Sequence, residues 1–383
     1  MKKNNIKYIS LLIAVMLTLP FSGSAQLFQK KKKKDAPKEA YQFTIDVELD
    51  RTPVKSQGRS STCWSFSGTS FLESELQRIG KEPIELSVMY TVMNTYREKA
   101  HLYSRWRGNL EFGPGGAFHD VIHVIKKYGA VPMEVYKGNE IKEATIMHGE
   151  MDAALKGFMD GLSKSRVPTS AWQNGFENLV TAYLGEIPEE FSYKGQTYTP
   201  SSYAVSLGLN MDDYVEISSF THHPFYDSFV LEVPDNWLRD EVYNVMLDEL
   251  IEIIDYSINN GYSVAWASDL GKGFNMGLGV AVVPPDKWDG KTFKPGMEPL
   301  VTQERRQLEF DNYSTTDDHG MHFVGIAKDQ EGNKYYIEKN SWGDGNKYKG
   351  YSYVSEQYTR LKTTNIMVNK NGIPPELRAK LGL

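Results

Sequence analysis

Residues 57–66 read Gln57-Gly58-Arg59-Ser60-Ser61-Thr62-Cys63-Trp64-Ser65-Phe66. A loop of glycine and hydroxyl side chains runs here into a segment with helical periodicity. Leu72, Leu76 and Ile79 share one face, and Gly80 supplies a stop. The pattern predicts a helix over 63–79 that begins at the cysteine. A helix N-terminus presents unsatisfied N–H groups and partial positive charge, which favour a thiolate over a thiol. Cys63 is the single cysteine among 383 residues, so no internal disulfide can use it. The choice lies between a reactive thiol and an ordinary buried one, and the surroundings decide it.

Upstream, Phe43, Ile45 and Val47 alternate with polar residues and predict a strand ahead of Thr52-Pro53. Residues 1–25 carry Lys2, Lys3 and Lys7, an apolar run over 9–19 and the small exit Gly23-Ser24-Ala25. That is the pattern of a secretory signal peptide, with an apolar run too short to span a bilayer comfortably. The expectation is an exported protein, periplasmic or extracellular, without stable membrane insertion once the signal is removed. Residues 26–40 contain Lys30 to Lys34 and form a flexible lysine-rich tail. The remainder, 41–383, is acidic, since the whole chain is at −6 despite these lysines. An acidic body argues against nucleic acid as a partner.

Downstream, helices are expected over about 86–103 and 118–128, the second introduced by Gly113-Pro114-Gly115-Gly116. Residues 136–230 read as a mixed helical and irregular insertion. A helix follows Pro234, with Leu247, Leu250, Ile251, Ile254 and Ile258 inward and Gly261 closing it. The period then switches to two, and strands are expected over 263–267, 277–283, 321–328 and 335–339. Helices early and strands late predict an α+β fold.

An activated thiol needs a base, and the base needs an orienting partner. Asp318-His319 opens one of the late strands, and Asn340-Ser341-Trp342-Gly343 follows another at a turn. A cysteine, a histidine and an asparagine from distant segments are what a cysteine hydrolase requires, and the Gln57 amide can donate to an oxyanion.

The 57–66 segment, Asp318-His319-Gly320 and Asn340-Ser341-Trp342-Gly343 resemble the signature blocks of papain-like cysteine peptidases, most of all the bleomycin hydrolase and aminopeptidase C branch. Residues 185–191, 265–275 and 373–377 are similar to that branch as well. The resemblance implies a papain-like fold of a helical lobe and a β-sheet lobe, with an active-site cleft between them and the mixed insertion at 136–230. It implies Cys63 as nucleophile, His319 as general base and acid, Asn340 as its orienting amide and Gln57 as oxyanion donor. Gly115 and Gly116 match the paired glycines that admit a substrate backbone. Asp318 matches a substrate-flanking position, and Trp342 the indole covering the His–Asn hydrogen bond. Peptides are the implied substrates, with no cofactor, and related proteins assemble as hexamers. The branch's C-terminal arm lies in the cleft and favours aminopeptidase action. The tail here, ending Leu381-Gly382-Leu383, looks shorter than that arm. A papain-like endopeptidase and a peptide binder without turnover are the competing readings. Two departures stand out. Ser60 occupies the position of papain's disulfide cysteine, and Ser61-Thr62 replaces the branch's Gly-Arg.

Several other residues compete for roles. His322 lies three residues from His319 on the same strand, hence on its opposite face. His119 and His123 mimic a zinc-hydrolase helix, but with Asp120 between them instead of Glu. His222-His223 shows no acidic partner at ligand spacing, and Gly271-Lys272-Gly273 is too short for a phosphate loop. No metal is expected.

Overall fold

The computed structural model describes residues 41–138 and 145–383. The expected signal (1–25) and lysine-rich tail (26–40) lie outside the described residues.

Strand β1 (Thr44–Glu48) leads to helix α1 (Cys63–Arg78), which starts at the cysteine, as expected. Helix α2 (Val88–Arg105) is capped by Ser87 Oγ, which accepts from Tyr90 N, and α3 (Phe118–Tyr128) follows the glycine loop. Along α1 nearly every residue is buried, acids included. Glu73 accepts from Lys55 Nζ at 2.6 Å and from the Leu86 backbone at 2.8 Å, which offsets its desolvation. Ile79, expected on the buried face, is the helix cap and is 40% exposed.

The segment 136–230 contributes to both halves of the fold. Helices α4 (Gly149–Ser163) and α5 (Ala171–Leu184), the hairpin β2 (Phe191–Tyr193) with β3 (Gln196–Tyr198), and α6 (Pro200–Leu207) extend the helical core. Met151, Leu155, Phe176 and Val180 join Phe71, Met93 and Phe118 there. Strands β4 (Tyr214–Ser218) and β5 (Ser228–Val230) belong instead to the main sheet. Pro234 does not open a helix. A turn there leads to β6 (Glu241–Asn244), and α7 begins only at Leu247, running Leu247–Asn259 with the expected apolar face buried.

Strands β7 (Val264–Ser268), β8 (Phe274–Asn275), β9 (Val280–Ala281), then α8 (Gln303–Asp311) and β10 (His319–Lys328) follow. The expected strand over 277–283 is thus reduced to a two-residue element. Next come β11 (Lys334–Lys339), β12 (Tyr351–Ser355), α9 (Glu356–Lys362), β13 (Thr363–Asn369) and α10 (Pro375–Lys380). The sheet order is β5-β6-β4-β13-β7-β10-β11-β12-β9-β8, with β1 added antiparallel to the far half of β10. Helix α7 covers one face with Leu250, Ile254 and Ile258 against Trp266, Phe323 and Tyr336, and Leu377 and Leu381 join that core. The α+β architecture, with a helical half and a sheet half, is as expected.

Candidate active site

Three segments converge on Cys63. The first is its own loop, which is zipped to the turn after β11. Gln57 N donates to Ser341 O at 2.8 Å, Gly343 N to Lys55 O at 3.1 Å, and Ser56 bridges Trp342. The second is β10, which presses on the first turn of α1. A Cβ on Gly320 would come within 2.8 Å of Ser67 Oγ and 3.1 Å of Trp64 Cα, so only glycine permits the approach that sets His319 beside the helix start. The third is the glycine loop, where a Cβ on Gly116 would meet the Trp64 indole at 2.8 Å. Cys63, His319, Asp318, Gly116, Asp235 and Asp317 line one narrow cavity of about 40 Å³.

The His319 ring is buried, and its Nε2–H donates to Asn340 Oδ1 at 2.9 Å, leaving Nδ1 as the ring nitrogen for the thiol. Asn340 Oδ1 also accepts from Ser341 N at 2.7 Å, which fixes the amide orientation. The Trp342 ring packs on His319 with centroids 4.7 Å apart, although the indole itself is 41% exposed. Gln57 is buried and accepts from Ser341 Oγ at 2.6 Å through Oε1. No described residue accepts from its Nε2, which stays available as a donor. Of the expected residues, Cys63, His319, Asp318 and Gly116 therefore share the cavity. Asn340 and Trp342 attach to it through His319, and Gln57 through Ser341. Gly115 lies against the Asp235 carboxylate, so close that a Cβ would sit 1.9 Å from Oδ1.

The electrostatics depart from the expectation of a thiolate. Burial pushes the Cys63 thiol up to about 11, the Asp235 and Asp318 charges add to this, and the Gly320 and Trp64 N–H groups oppose it. The helix terminus is thus outweighed by desolvation. Burial also lowers His319, opposed by the hydrogen bond to Asn340. Proton transfer from Cys63 to His319 charges both at once, and the attraction between the two charges offsets part of their burial.

The rival histidines sit elsewhere. His322 is fully buried, with Nδ1 3.0 Å from Ser70 Oγ, and burial with the Lys339 charge holds it well below the usual range. His119 Nδ1 lies 3.3 Å from Glu216 and Nε2 3.7 Å from Asp120. Burial alone would lower it, but these acids win and push it up to about 9. A protonated imidazole between two carboxylates is a poor metal ligand. His222 and His223, expected to lack an acidic partner, share Glu232 at 3.2 and 2.6 Å, the loop folding back onto a residue ten and nine positions on. Gln307 Oε1 accepts from Thr221 N, so its Nε2 donates to His222 Nδ1 and the His222 proton sits on Nε2, toward Glu232. The lone pair a metal would need there is occupied.

Asp235 and Asp317 carried no sequence signal. Asp235 is one acid in a Pro-Asp-Asn turn, and Asp317 precedes the recognised Asp318-His319 by a single position.

The model of the peptidase C1-like family matches residues 177–382. The chain is 23% identical over 377 residues to aminopeptidase C of Lactococcus lactis subsp. lactis (strain IL1403), covering 88% of this chain and 84% of that protein. It is 24% identical over 392 residues to bleomycin hydrolase of Rattus norvegicus, covering 88% and 85%. Its fold is similar to the crystal structure of PepW from Lactobacillus rhamnosis HN001, with TM-score 0.69 at 20% identity, covering 88% and 84%.

Proposed function

Since this chain belongs to the peptidase C1-like family, and is a cysteine peptidase of papain-like fold, we propose that it is an exported aminopeptidase working through Cys63, His319 and Asn340. The observation that carries the mechanistic part is the His319 Nε2 to Asn340 Oδ1 hydrogen bond of 2.9 Å beside a cavity that also holds Cys63. With Nε2 engaged, Nδ1 accepts the thiol proton as Sγ attacks the scissile carbonyl. The same imidazolium then protonates the leaving amine. Water, deprotonated by His319, hydrolyses the thioester. Gln57 Nε2 and the Cys63 backbone N–H take the oxyanion, and their fixed positions cost no reorganisation as charge develops. Gly116 leaves room for the substrate backbone against Trp64, with Asp318 flanking the scissile bond and Trp342 keeping water from the His319–Asn340 pair.

Peptides are the substrates. The relatives named aminopeptidase C and bleomycin hydrolase support action at a free amino terminus. Export rests on residues 1–25. Among the described residues no helix is long and apolar enough to cross a membrane. Assembly of copies, as in related hexamers, is measured by size-exclusion chromatography with light scattering.

The test compares an aminoacyl-coumarin substrate with its N-acetyl counterpart. An aminopeptidase cleaves the free-amine form preferentially, whereas equal or inverted rates establish the endopeptidase. A thiol-directed epoxide that labels wild type but not Cys63→Ala supports turnover chemistry, and a wild type that never labels supports a peptide binder.

A further inference from the structure

The aminopeptidase reading leaves open what recognises the substrate's amino terminus. Residues 381–383 do not line the catalytic cavity. Leu381 and Leu383 pack into the core beneath α7, and Lys380 Nζ reaches Glu249 on that helix at 2.9 Å. The cavity wall carries a different anionic group.

Asp235 lines the same cavity as Cys63 and His319. Its backbone N–H donates to Asp317 Oδ2 at 2.7 Å, which fixes the turn. Its carboxylate lies over Gly115, where any side chain would collide with it. No described residue donates a hydrogen bond to either Asp235 oxygen. Lys99, whose charge acts on Asp235, is buried and already donates to the carbonyls of Gly113 and Gly115. Asp317 and Asp318 complete a wall whose single basic side chain is His319. A partly buried carboxylate without a donor partner, in a cleft of this sign, is complementary to a cation. Among the described residues, the wall does not offer the converging ligand set of a chelated metal ion, since its carboxylates do not converge within 4.8 Å as three ligand atoms. A substrate cation able to enter beside Cys63 is the α-ammonium of a peptide.

We propose that Asp235 binds the free α-ammonium of the substrate and so determines amino-terminal selectivity. This rests on the aminopeptidase reading. The groups facing Asp235 are Asp317, Asp120 and Glu111 on the acidic side and Lys99 on the basic side, with Cys63, His319 and Asp318 along the cleft. Burial first, then the Asp317 charge, push Asp235 up to about 7, and the charge of a bound ammonium would oppose both influences.

The experiment measures kcat/KM of the full chain and of Asp235→Asn on an aminoacyl-coumarin and its N-acetyl form. Epoxide labelling of Cys63 serves as the check of folding. The amide removes the charge but keeps the shape. The expected result is a loss of about 10- to 100-fold on the free-amine substrate, the range of a hydrogen bond to a charged group. On the N-acetyl substrate the rate should be unchanged or higher. A wild type that prefers free amines, with the same preference retained in Asp235→Asn, overturns the inference and leaves the aminopeptidase reading standing. A wild type without the preference overturns both. Equal losses on both substrates, with labelling intact, also overturn it, because Asp235 would then serve the reaction rather than the amine. Should the variant fail to fold, wild type alone decides. Its kcat/KM on the free-amine substrate must show an acid limb near pH 7 that the N-acetyl substrate lacks, and coincident profiles overturn the inference.

Discussion

Replacing Asn340 with alanine tests the geometry of the site more closely than removing a reacting group would. Asn340 Oδ1 holds the His319 Nε2–H at 2.9 Å, in a buried setting covered by Trp342. The bond strengthens as His319 becomes imidazolium, so it belongs with charge-assisted hydrogen bonds of about 1.5–3 kcal/mol. Lost from the transition state, that is a fall of about 10- to 150-fold in kcat/KM. The sign of the pH effect follows from the same contact. Burial lowers His319 and the Asn340 bond opposes this, so the variant should lower it further. The imidazole then stays neutral to lower pH, and the acid limb of kcat/KM moves down. Asn340→Asp keeps the acceptor and adds a charge, which should move that limb up. The assay is a pH series of kcat/KM on a fluorogenic peptide for the three proteins. A loss as deep as that of Cys63→Ser, or an acid limb that stays in place, would refute the orienting role.

Cys63→Ser should lower kcat/KM by at least about a thousandfold with the thermal unfolding midpoint kept, and residual activity within tenfold of wild type removes Cys63 from the mechanism. Deleting Leu381 to Leu383 should leave the ratio of free-amine to N-acetyl cleavage unchanged while costing about 2–3 kcal/mol in denaturant unfolding, since Leu381 is buried; a changed ratio would mean that the tail reaches the cleft. His119 stands above its unfolded value, so its contribution is complete below about pH 6.5 and fades as pH rises through about 9. Glu216→Gln should flatten that fall in unfolding free energy, which is on the order of 3 kcal/mol at most, and an unchanged slope would show that Glu216 is not the partner.

The site was legible where function forces residue type and spacing together. Cys63 at a helix start, His319 opening a strand and Asn340 at a turn each left a local signature, and the fold brings all three together. Strands β4, β12 and β13 were not read, for a physical reason. A strand buried on both faces loses the alternation that identifies strands at a surface. In β13 every residue is buried, and its polar side chains find partners inside, as when Asn369 Nδ2 donates to Glu75 at 2.8 Å. In β4 the buried Glu216 looks misplaced until His119 N and Asn365 Nδ2 are seen donating to it at 2.8 Å each. Those partners lie 97 and 149 residues away, beyond any local pattern. Asp235 escaped for the same reason: its meaning depends on Gly115 and Cys63, which only the tertiary structure puts beside it.

The same distance between local and tertiary effects governs the nucleophile. Read locally, the start of α1 should acidify Cys63 through its free N–H groups. In the folded chain the Trp64 and Gly320 N–H groups do act in that direction, but burial outweighs them, and the Asp235 and Asp318 charges push the same way as burial. Two of the three influences that keep the thiol protonated are therefore carboxylates on the substrate side of the cavity. If Asp235 holds the substrate ammonium, binding cancels one of those charges at the moment the scissile carbonyl arrives beside Sγ. Desolvation by the substrate works against ionisation, while the ammonium works for it, and only a free amino terminus brings the second effect. Selectivity would then act on proton transfer to His319 as well as on binding, so that kcat and KM both respond to the amine.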